Sequence, residues 1–478
     1  MPRVAEFYAL SRGQESLEFV DVDVSSDTRL FIDPGAIRLL GSTMSHECAS
    51  LLQSFFGHVL LNVHRGQHDE AKDLLASLGE PNETRLGLSR GRSAGHGMGE
   101  ELAERFWKAL SESRAASSGL LQDLEDTALF VDHIDRDIIS DVITNIIRGP
   151  LIDFTLTMCS KYQIPAIQGI TMATWDRHDA SWTQREAVLP VVDDRPLLLV
   201  PRAFVRRGRG TFSANKYYDH YVLPFMQQQH FGAGTSLVRF LRDGSRRPPY
   251  KKTLKALHPD VKPTNVETTL ENRELLDAYR DDAVRDFEVI DHGDLSKATD
   301  NSIDWGKLLD EVLSIPAGKE HATEYHHAIE RLLTAALYPA LDMPVIEQKL
   351  HEGRKRIDIE YTNIARHGFF HWLHAVHQTP CSIVVVECKN YSTPINNPEF
   401  DQLTGRFGVQ RGFFGILCYR GNVDKADVVS RCRDAASDGR GFIIPIDDNA
   451  LAALVDQRKE AEDGQGFGLL HEWFRELL

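Results

Sequence analysis

Two short segments in the last third of the chain carry charged side chains within apolar surroundings. Asp358 lies in the stretch 355–359, and Glu387 and Lys389 lie in the β-branched run 383–391. Residues i and i+2 share one face of a strand, so Glu387 and Lys389 point together while Cys388 points the other way. A buried carboxylate is costly unless a cation or hydrogen bonds compensate it. Two carboxylates and an ammonium in one pocket suit phosphodiester hydrolysis assisted by a divalent metal ion.

The order of these residues resembles the PD-(D/E)XK nuclease superfamily, especially its restriction-endonuclease-like members of the Mrr and RecB type. The resemblance rests on Asp358 followed by Glu387-Cys388-Lys389, and it extends over residues 320–450. The Pro of the family name is absent, because Arg356-Ile357 precedes Asp358. The resemblance implies an α/β protein whose C-terminal part is a restriction-endonuclease-like α/β/α domain with a central mixed sheet.

The same resemblance implies a cofactor, Mg²⁺ or Mn²⁺. Asp358, Glu387 and the main-chain carbonyl of Cys388 would hold the metal ion, and Lys389 would stabilise negative charge and position the water. The residue types alone leave open a plainer alternative, in which Glu387 and Lys389 form an ion pair without catalytic function. The catalytic interpretation requires the carboxylates of Asp358 and Glu387 to lie within reach of one cation, and it fails if they point to opposite faces of the sheet.

The resemblance also implies roles for Glu330 and Gln402 on the flanking helices, and Arg406 is a third candidate there. Glu330 lies on the preceding helix and would reach the metal ion or complete a second metal site. Gln402 lies on the following helix and would hold the attacking water or the phosphate. Arg406 could contact phosphate from the same helix. Each of the three has an ordinary alternative as a residue on a solvated helix face.

Composition and charge describe the chain as a whole. At 478 residues it exceeds one ordinary domain, and its 42% hydrophobic content is that of a globular protein without a membrane span. The six cysteines lack CxxC spacing and the first residues lack a signal-peptide pattern, so we expect reduced thiols and a cytoplasmic location. The net charge of −16 disfavours nucleic acid at first sight, but local charge decides such binding.

A basic stretch at 202–255 departs from this acidic average, with twelve Lys or Arg against two Asp. Such a band can bind phosphates, and the aromatic residues Tyr217, Tyr218 and Tyr250 could stack on bases. Pairing with acidic groups elsewhere in the chain is the alternative. The residues assigned to nucleic-acid contact are Arg206, Arg207, Arg209, Arg246, Arg247, Lys251 and Lys252.

Two regions are predicted. Residues 1–300 form a mixed α/β sensor or recognition region of unknown fold, which includes the basic stretch and a polar connector at 256–300. Residues 301–478 form the nuclease-like domain. In the first region the patterns predict strands at 16–24, 28–32, 186–191 and 196–200, and helices at 44–63, 100–112, 120–130 and 136–161. In the second they predict helices at 320–338, 367–377 and 397–407, and strands at 345–350, 354–361, 383–389, 413–419 and 441–446.

The expected function is metal-dependent hydrolysis of phosphodiester bonds. The resemblance favours DNA as the substrate and bacterial genome defence, in restriction or anti-phage systems, as the role. An RNA nuclease of the same fold, or a nucleic-acid-binding or scaffold protein without activity, remains open. A homodimer is expected because many nucleases of this fold cut both strands as dimers. The Gly-rich loop 87–99 is a flexible loop in the plainer interpretation, and alternatively it could bind an activating anion at the N-terminal region.

Overall fold

The structure is a computed structural model that describes residues 2–87, 98–208, 211–350, 355–395, 397–421, 424–460 and 468–478. Within these ranges, only the backbone of residues 98–101, 348–350 and 355–356 is described. The chain divides into two compact units. The first comprises Met1–Val4 and Val22–Glu288, and the second comprises Ala5–Asp21 and Val289–Leu478. The predicted regions met at 300/301, whereas the units divide at 288/289 and a segment from the N-terminus belongs to the second unit.

Helices dominate the first unit. The prediction at 44–63 is confirmed, because a helix spans Thr43–His64 with Ser42 as its N-cap, whose hydroxyl accepts from the Ser45 amide at 3.1 Å. The other α-helices described in this unit are Pro34–Leu39, His68–Leu75, Met98–Ser111, Arg114–Ser117, Asp126–Phe130, Arg136–Ile146, Arg148–Tyr162, Ala214–Tyr217, Leu223–Ala233, Lys251–Leu257, Val261–Glu271 and Glu274–Arg285. A further helix, Val4–Phe7, crosses the boundary between the units.

Two helix predictions in this unit were wrong in extent. The helix predicted at 136–161 is broken at Ile147, because Pro150 cannot donate an amide and instead lies in the first turn of a new helix. The helix predicted at 120–130 begins only at Asp126. The carboxylate of Asp126 accepts the amides of Gln122 and Asp123 at 2.9 and 3.0 Å, which holds the preceding residues in a turn.

The strands of the first unit are short, except for one hairpin. That hairpin pairs Ile167–Asp176 with Ser181–Leu189, close to the predicted strand at 186–191. The hairpin predicted at 16–32 was wrong: only Phe31–Ile32 forms a strand, and it pairs with Val205–Arg206. The strand predicted at 196–200 is also mostly absent, since the Leu198 and Leu199 amides donate to Glu83 O and Thr155 Oγ1. The remaining short pairs are Val191–Val192 with Arg195–Pro196 and Arg239–Phe240 with Arg246–Arg247.

The polar segment predicted as a connector at 256–300 is packed instead. Leu276, Tyr279 and Ala283 recur at helical spacing and are buried, and the Tyr279 hydroxyl accepts from the Ser213 amide at 2.9 Å. A low overall apolar content therefore concealed a narrow apolar stripe. This packing joins residues 256–288 to the first unit.

The second unit is built around a five-stranded sheet. Its strands are β1 (Leu341–Leu350), β2 (Lys355–Asn363), β3 (Ile383–Asn390), β4 (Phe414–Arg420) and β5 (Phe442–Ile446). Its α-helices are α1 (His292–Thr299), α2 (Trp305–Leu313), α3 (Ala322–Leu337), α4 (Gly368–His371), α5 (Asn397–Thr404), α6 (Lys425–Ser437), α7 (Asp448–Glu460) and α8 (Gly468–Arg475). A π-helical turn, Trp372–Val376, follows α4. All five strands were predicted, with boundaries shifted by a few residues.

The sheet is mixed, and its spatial order is β5-β4-β3-β2-β1. β1, β2 and β3 pair antiparallel, whereas β3, β4 and β5 pair parallel. One row of the core follows from this register, because Ile359 lies opposite Val386, Val386 opposite Ile416, and Ile416 opposite Ile444. Seven of the eight residues of β3 are buried, as a run of β-branched residues predicts for a central strand.

Helices cover both faces of the sheet. The Tyr361 hydroxyl donates to Glu330 O at 3.1 Å, so one face of β2 looks toward α3. Lys389 Nζ donates to Gln402 Oε1 at 3.2 Å, so the face that carries Lys389 looks toward α5. Successive side chains along each strand therefore point alternately toward the two helical layers. In the described parts of both units, no helix combines the length and apolar character needed to cross a membrane.

Candidate active site

The predicted acidic residues lie at the point where β2 and β3 run side by side. The paired register of β2 and β3 ends at Ile359 opposite Val386, and Asp358 and Glu387 lie directly beyond this last pair, one on each strand. Asp358 lies close enough to Glu387 and to Lys389 to raise the pKa of each. Glu387 is fully buried, Asp358 is 6% exposed and Lys389 is 8% exposed. The structure thus brings together the three charged groups that the sequence singled out.

Lys389 is held by two oxygen atoms. Its ammonium donates to Glu387 Oε1 at 2.7 Å and to Gln402 Oε1 at 3.2 Å. Burial lowers the pKa of Lys389, but the carboxylates of Glu387 and Asp358 outweigh it and raise the pKa above its ordinary value. Lys389 therefore remains an ammonium at neutral pH. The amide of Gln402 fixes where this ammonium points.

The second oxygen of Glu387 lacks such a partner. Glu387 Oε2 is buried and accepts no hydrogen bond from any residue that the structure describes. Burial and the nearby Asp358 raise the pKa of Glu387, against the opposing effect of Lys389. An unsatisfied buried carboxylate oxygen beside a second carboxylate is what a divalent cation would neutralise. The donor set of Asp358, Glu387 and the carbonyl of Cys388 therefore fits a hard cation such as Mg²⁺.

Asp358 is anchored at the end of the strand pair, and His326 joins it there. Asp358 Oδ2 accepts the Cys388 amide at 2.9 Å. His326 Nε2, from the first half of α3, lies 3.3 Å from Cys388 O and 3.8 Å from Asp358 Oδ2. The sequence reasoning did not assign His326 to the site. The available signal was its helical spacing, since His326 precedes Glu330 by one turn on the helix that was expected to supply a ligand.

Glu330 itself is not placed in this site. Its carboxylate is fully buried and accepts from Arg12 Nη1 at 3.1 Å and Nη2 at 2.5 Å. Arg12 belongs to the segment Ala5–Asp21 of the second unit. The role assigned to Glu330 as a metal ligand is therefore corrected, because the buried ion pair with Arg12 occupies both of its oxygen atoms. His326 takes the position on α3 that Glu330 was expected to fill.

A cleft of about 560 Å³ opens beside Asp358 and Lys389. Asp358, Cys388, Lys389 and Gln402 contribute to its wall, and the other lining residues are Lys319, Ala322, His326, Asn390, Tyr391 and Arg406. Arg406 is only 6% exposed, and its Nε makes no hydrogen bond within the described part of the chain. Lys319, Lys389 and Arg406 make this wall cationic around the carboxylates. A cleft of this size and charge can accept a phosphate group.

The basic stretch of the first unit divides into buried and exposed residues. Arg206 lies over the ring of Phe287 at 4.6 Å, with its Nε 3.5 Å from Asp33, so it has a structural role. Tyr217 and Tyr218 are buried, which corrects their assignment as platforms for bases. Tyr250 is 61% exposed and lies under Arg239 at 3.6 Å.

The other cations assigned to nucleic-acid contact remain at the surface. Arg246 is exposed and donates to Phe231 O at 2.9 Å, and Lys251 is exposed and donates to Asp219 O at 2.6 Å. Arg207, Arg247 and Lys252 are exposed as well. Arg209 lies outside the described residues, as does most of the Gly-rich loop 87–99. The exposed cations keep the prediction of nucleic-acid contact open.

The comparisons with known proteins concern the other end of the chain. Residues 9–213 match the model of a family described as "Domain of unknown function (DUF8370)". This match includes Arg12 and most of the first unit's long helices, and it ends before the five-stranded sheet begins. No curated protein and no solved structure matches the chain. The matched segment is thus similar to a family whose description assigns no activity.

Proposed function

We propose that the protein is a metal-dependent nuclease that hydrolyses phosphodiester bonds, with DNA as the favoured substrate. The observation that carries the proposal is the grouping of Asp358, Glu387 and Lys389 beside a cationic cleft, which Asp358 and Lys389 line. We further propose that the second unit has the restriction-endonuclease-like fold. The mixed sheet supports that proposal, because Asp358 lies on the antiparallel strand β2 and Glu387 on the central strand β3.

The unsatisfied oxygen of Glu387 supports the metal ion in this proposal. Asp358, Glu387 and the carbonyl of Cys388 would hold Mg²⁺ or Mn²⁺, and His326 adds a nitrogen donor beside them. When bound, the ion supplies Lewis-acid stabilisation of phosphoryl oxygen and lowers the pKa of a bound water. A bound divalent cation would also neutralise the charges of Glu387 and Asp358, which offsets the cost of burying two carboxylates together.

The chain's own cations would act on the phosphate. Lys389 is a permanent donor that lies between Glu387 and Gln402, so it can hold a water or a phosphate oxygen without rearrangement. Arg406 presents a buried guanidinium to the same cleft, where it can bind a second phosphate oxygen. The preorganised position of both groups favours a substrate of high negative charge.

The test is cleavage of supercoiled plasmid by the purified full-length protein with Mg²⁺ or Mn²⁺, with EDTA as a control. Lys389→Ala should abolish nicking and linearisation. The matched control Lys459→Ala removes an exposed lysine that pairs with Asp456, and it should cleave as the wild type does. A structured RNA is assayed in parallel. If the protein cleaves only the RNA, RNA replaces DNA as the proposed substrate. If it binds either nucleic acid but cleaves neither, the proposed nuclease function is refuted. A role in bacterial genome defence stays a prediction from the family resemblance.

A further inference from the structure

The middle residue of the Glu387-Cys388-Lys389 segment contributes a second kind of donor to the same end of the sheet. An imidazole nitrogen of His326, a carboxylate oxygen of Asp358 and Cys388 Sγ all lie within 4.8 Å of one another. Cys388 is 3% exposed, and the side chain of His326 is 12% exposed. These three atoms are a nitrogen, an oxygen and a sulfur, whereas Mg²⁺ takes oxygen ligands. Nitrogen and sulfur donors together select transition ions.

The spacing of these atoms is close to that of a tetrahedral site. With the bond lengths of zinc sites, neighbouring ligand atoms are separated by about 3.5 Å. His326 Nε2 and Asp358 Oδ2 are already 3.8 Å apart. The two strand residues are fixed to each other, because Asp358 accepts the Cys388 amide. Only the side chains of His326 and Cys388 have to adjust for three ligands to meet one ion.

We propose that His326, Asp358 and Cys388 form a site for a thiophilic divalent ion of the zinc class, which differs from the Mg²⁺ site by its sulfur donor and by the absence of Glu387. The two sites share Asp358, and therefore one ion excludes the other. Zinc binds nitrogen and sulfur donors far more strongly than Mg²⁺ does. Binding of the thiophilic ion does not depend on the proposed nuclease function. Its consequence does: if the chain is a nuclease, zinc inhibits it by taking Asp358 from the Mg²⁺ site.

The experiment titrates the full-length protein, kept reduced, with Co²⁺ as a spectroscopic substitute for zinc. We expect one equivalent to produce the charge-transfer band of a cobalt–thiolate bond, and one equivalent of Zn²⁺ to remove it. Cys388→Ser should lose the band. Cys432→Ser is the matched control, because Cys432 is a buried free thiol on α6 and should leave the band unchanged.

A second variant decides the case if Cys388→Ser does not fold. His326→Ala keeps the thiol and should raise the dissociation constant for Co²⁺ at least about tenfold, the smallest loss seen when even outer partners of a metal site are removed. A band that survives in Cys388→Ser, no band in the wild type, or an unchanged dissociation constant in His326→Ala each overturns the proposal. The absorption is read without substrate. A failed plasmid assay with an intact band would therefore refute the nuclease and leave the metal site standing.

Discussion

The ion pair between Arg12 and Glu330 gives a prediction whose size follows from burial. Glu330 is fully buried and the side chain of Arg12 is 10% exposed, so solvent screens the pair weakly. Arg12→Ala leaves the Glu330 carboxylate buried without its partner. Removal of one member of a buried pair costs about 3–5 kcal/mol. We therefore expect the segment Ala5–Asp21 to detach from α3 and the stability of that helix to fall by an amount in this range.

Amide hydrogen exchange followed by mass spectrometry measures this loss where it occurs. A loss of about 3–5 kcal/mol corresponds to exchange that is roughly 150 to 5,000 times faster in peptides of α3. Because His326 lies on the same helix, the candidate site should loosen as well. The exposed pair of Lys459 and Asp456 provides the control, since Lys459→Ala should change stability by less than about 1 kcal/mol.

The double variant Arg12→Met/Glu330→Met removes both charges, so that neither is left buried without a partner. Replacing both charges by apolar groups of similar length is often close to neutral for stability. We expect the double variant to lose much less stability than Arg12→Ala. Exchange in α3 that stays unchanged in Arg12→Ala would refute the reasoning. The reasoning would also fail if the double variant lost as much stability as Arg12→Met and Glu330→Met lose together when measured singly.

Three further outcomes are expected. Burial raises the pKa of Glu125 from 4.5 to about 7, with Arg38 opposing this rise, so folding stability falls by about 3 kcal/mol as pH rises from about 4.5 to 7. Urea unfolding at both ends of this range should show a loss that is smaller by about this amount in Glu125→Gln, because Asp141, whose pKa burial raises to about 8, contributes equally in both proteins. Gln402→Ala frees the Lys389 ammonium and should slow metal-dependent cleavage about 10–100-fold with little effect on binding, which single-turnover assays can separate. Arg406→Gln should weaken DNA binding in Ca²⁺ about tenfold by fluorescence anisotropy. The exposed control Arg440→Gln should not, and equal effects would contradict a phosphate contact in the cleft.

The central strands and their charged residues were predictable because strand periodicity is local. Alternation along 383–390 alone places Glu387 and Lys389 on one face, and the β-branched run identifies a buried strand. The pairing of Asp358 with Glu387 followed from the order of elements in the family resemblance. The structure has both residues on adjacent strands, directly beyond the last pair of their register, Ile359 with Val386.

The errors come from interactions that no local pattern reveals. Arg12 and Glu330 are 318 positions apart, and only the folded chain shows that they pair. The strand predicted at 16–24 failed because polar side chains bind the backbone there: Gln14 Oε1 accepts the Asp21 amide and Asp21 Oδ1 accepts the Ala5 amide. His326 was overlooked because a carboxylate was expected on that helix, and the geometry favours the residue one turn earlier.

The path of the chain between the two units has a consequence for synthesis on the ribosome. Ala5–Asp21 belongs to the second unit, whereas the residues on either side of it belong to the first. Arg12 therefore leaves the ribosome long before the helix that carries its partner. At about 5–20 residues per second, Arg12 waits on the order of 15–60 s for Glu330 to be made. During that interval the residues of the first unit have all been made, whereas residues 5–21 still lack most of their own unit. A nascent chain stalled before α3 should consequently expose residues 5–21 to protease, and release of the full chain should protect them.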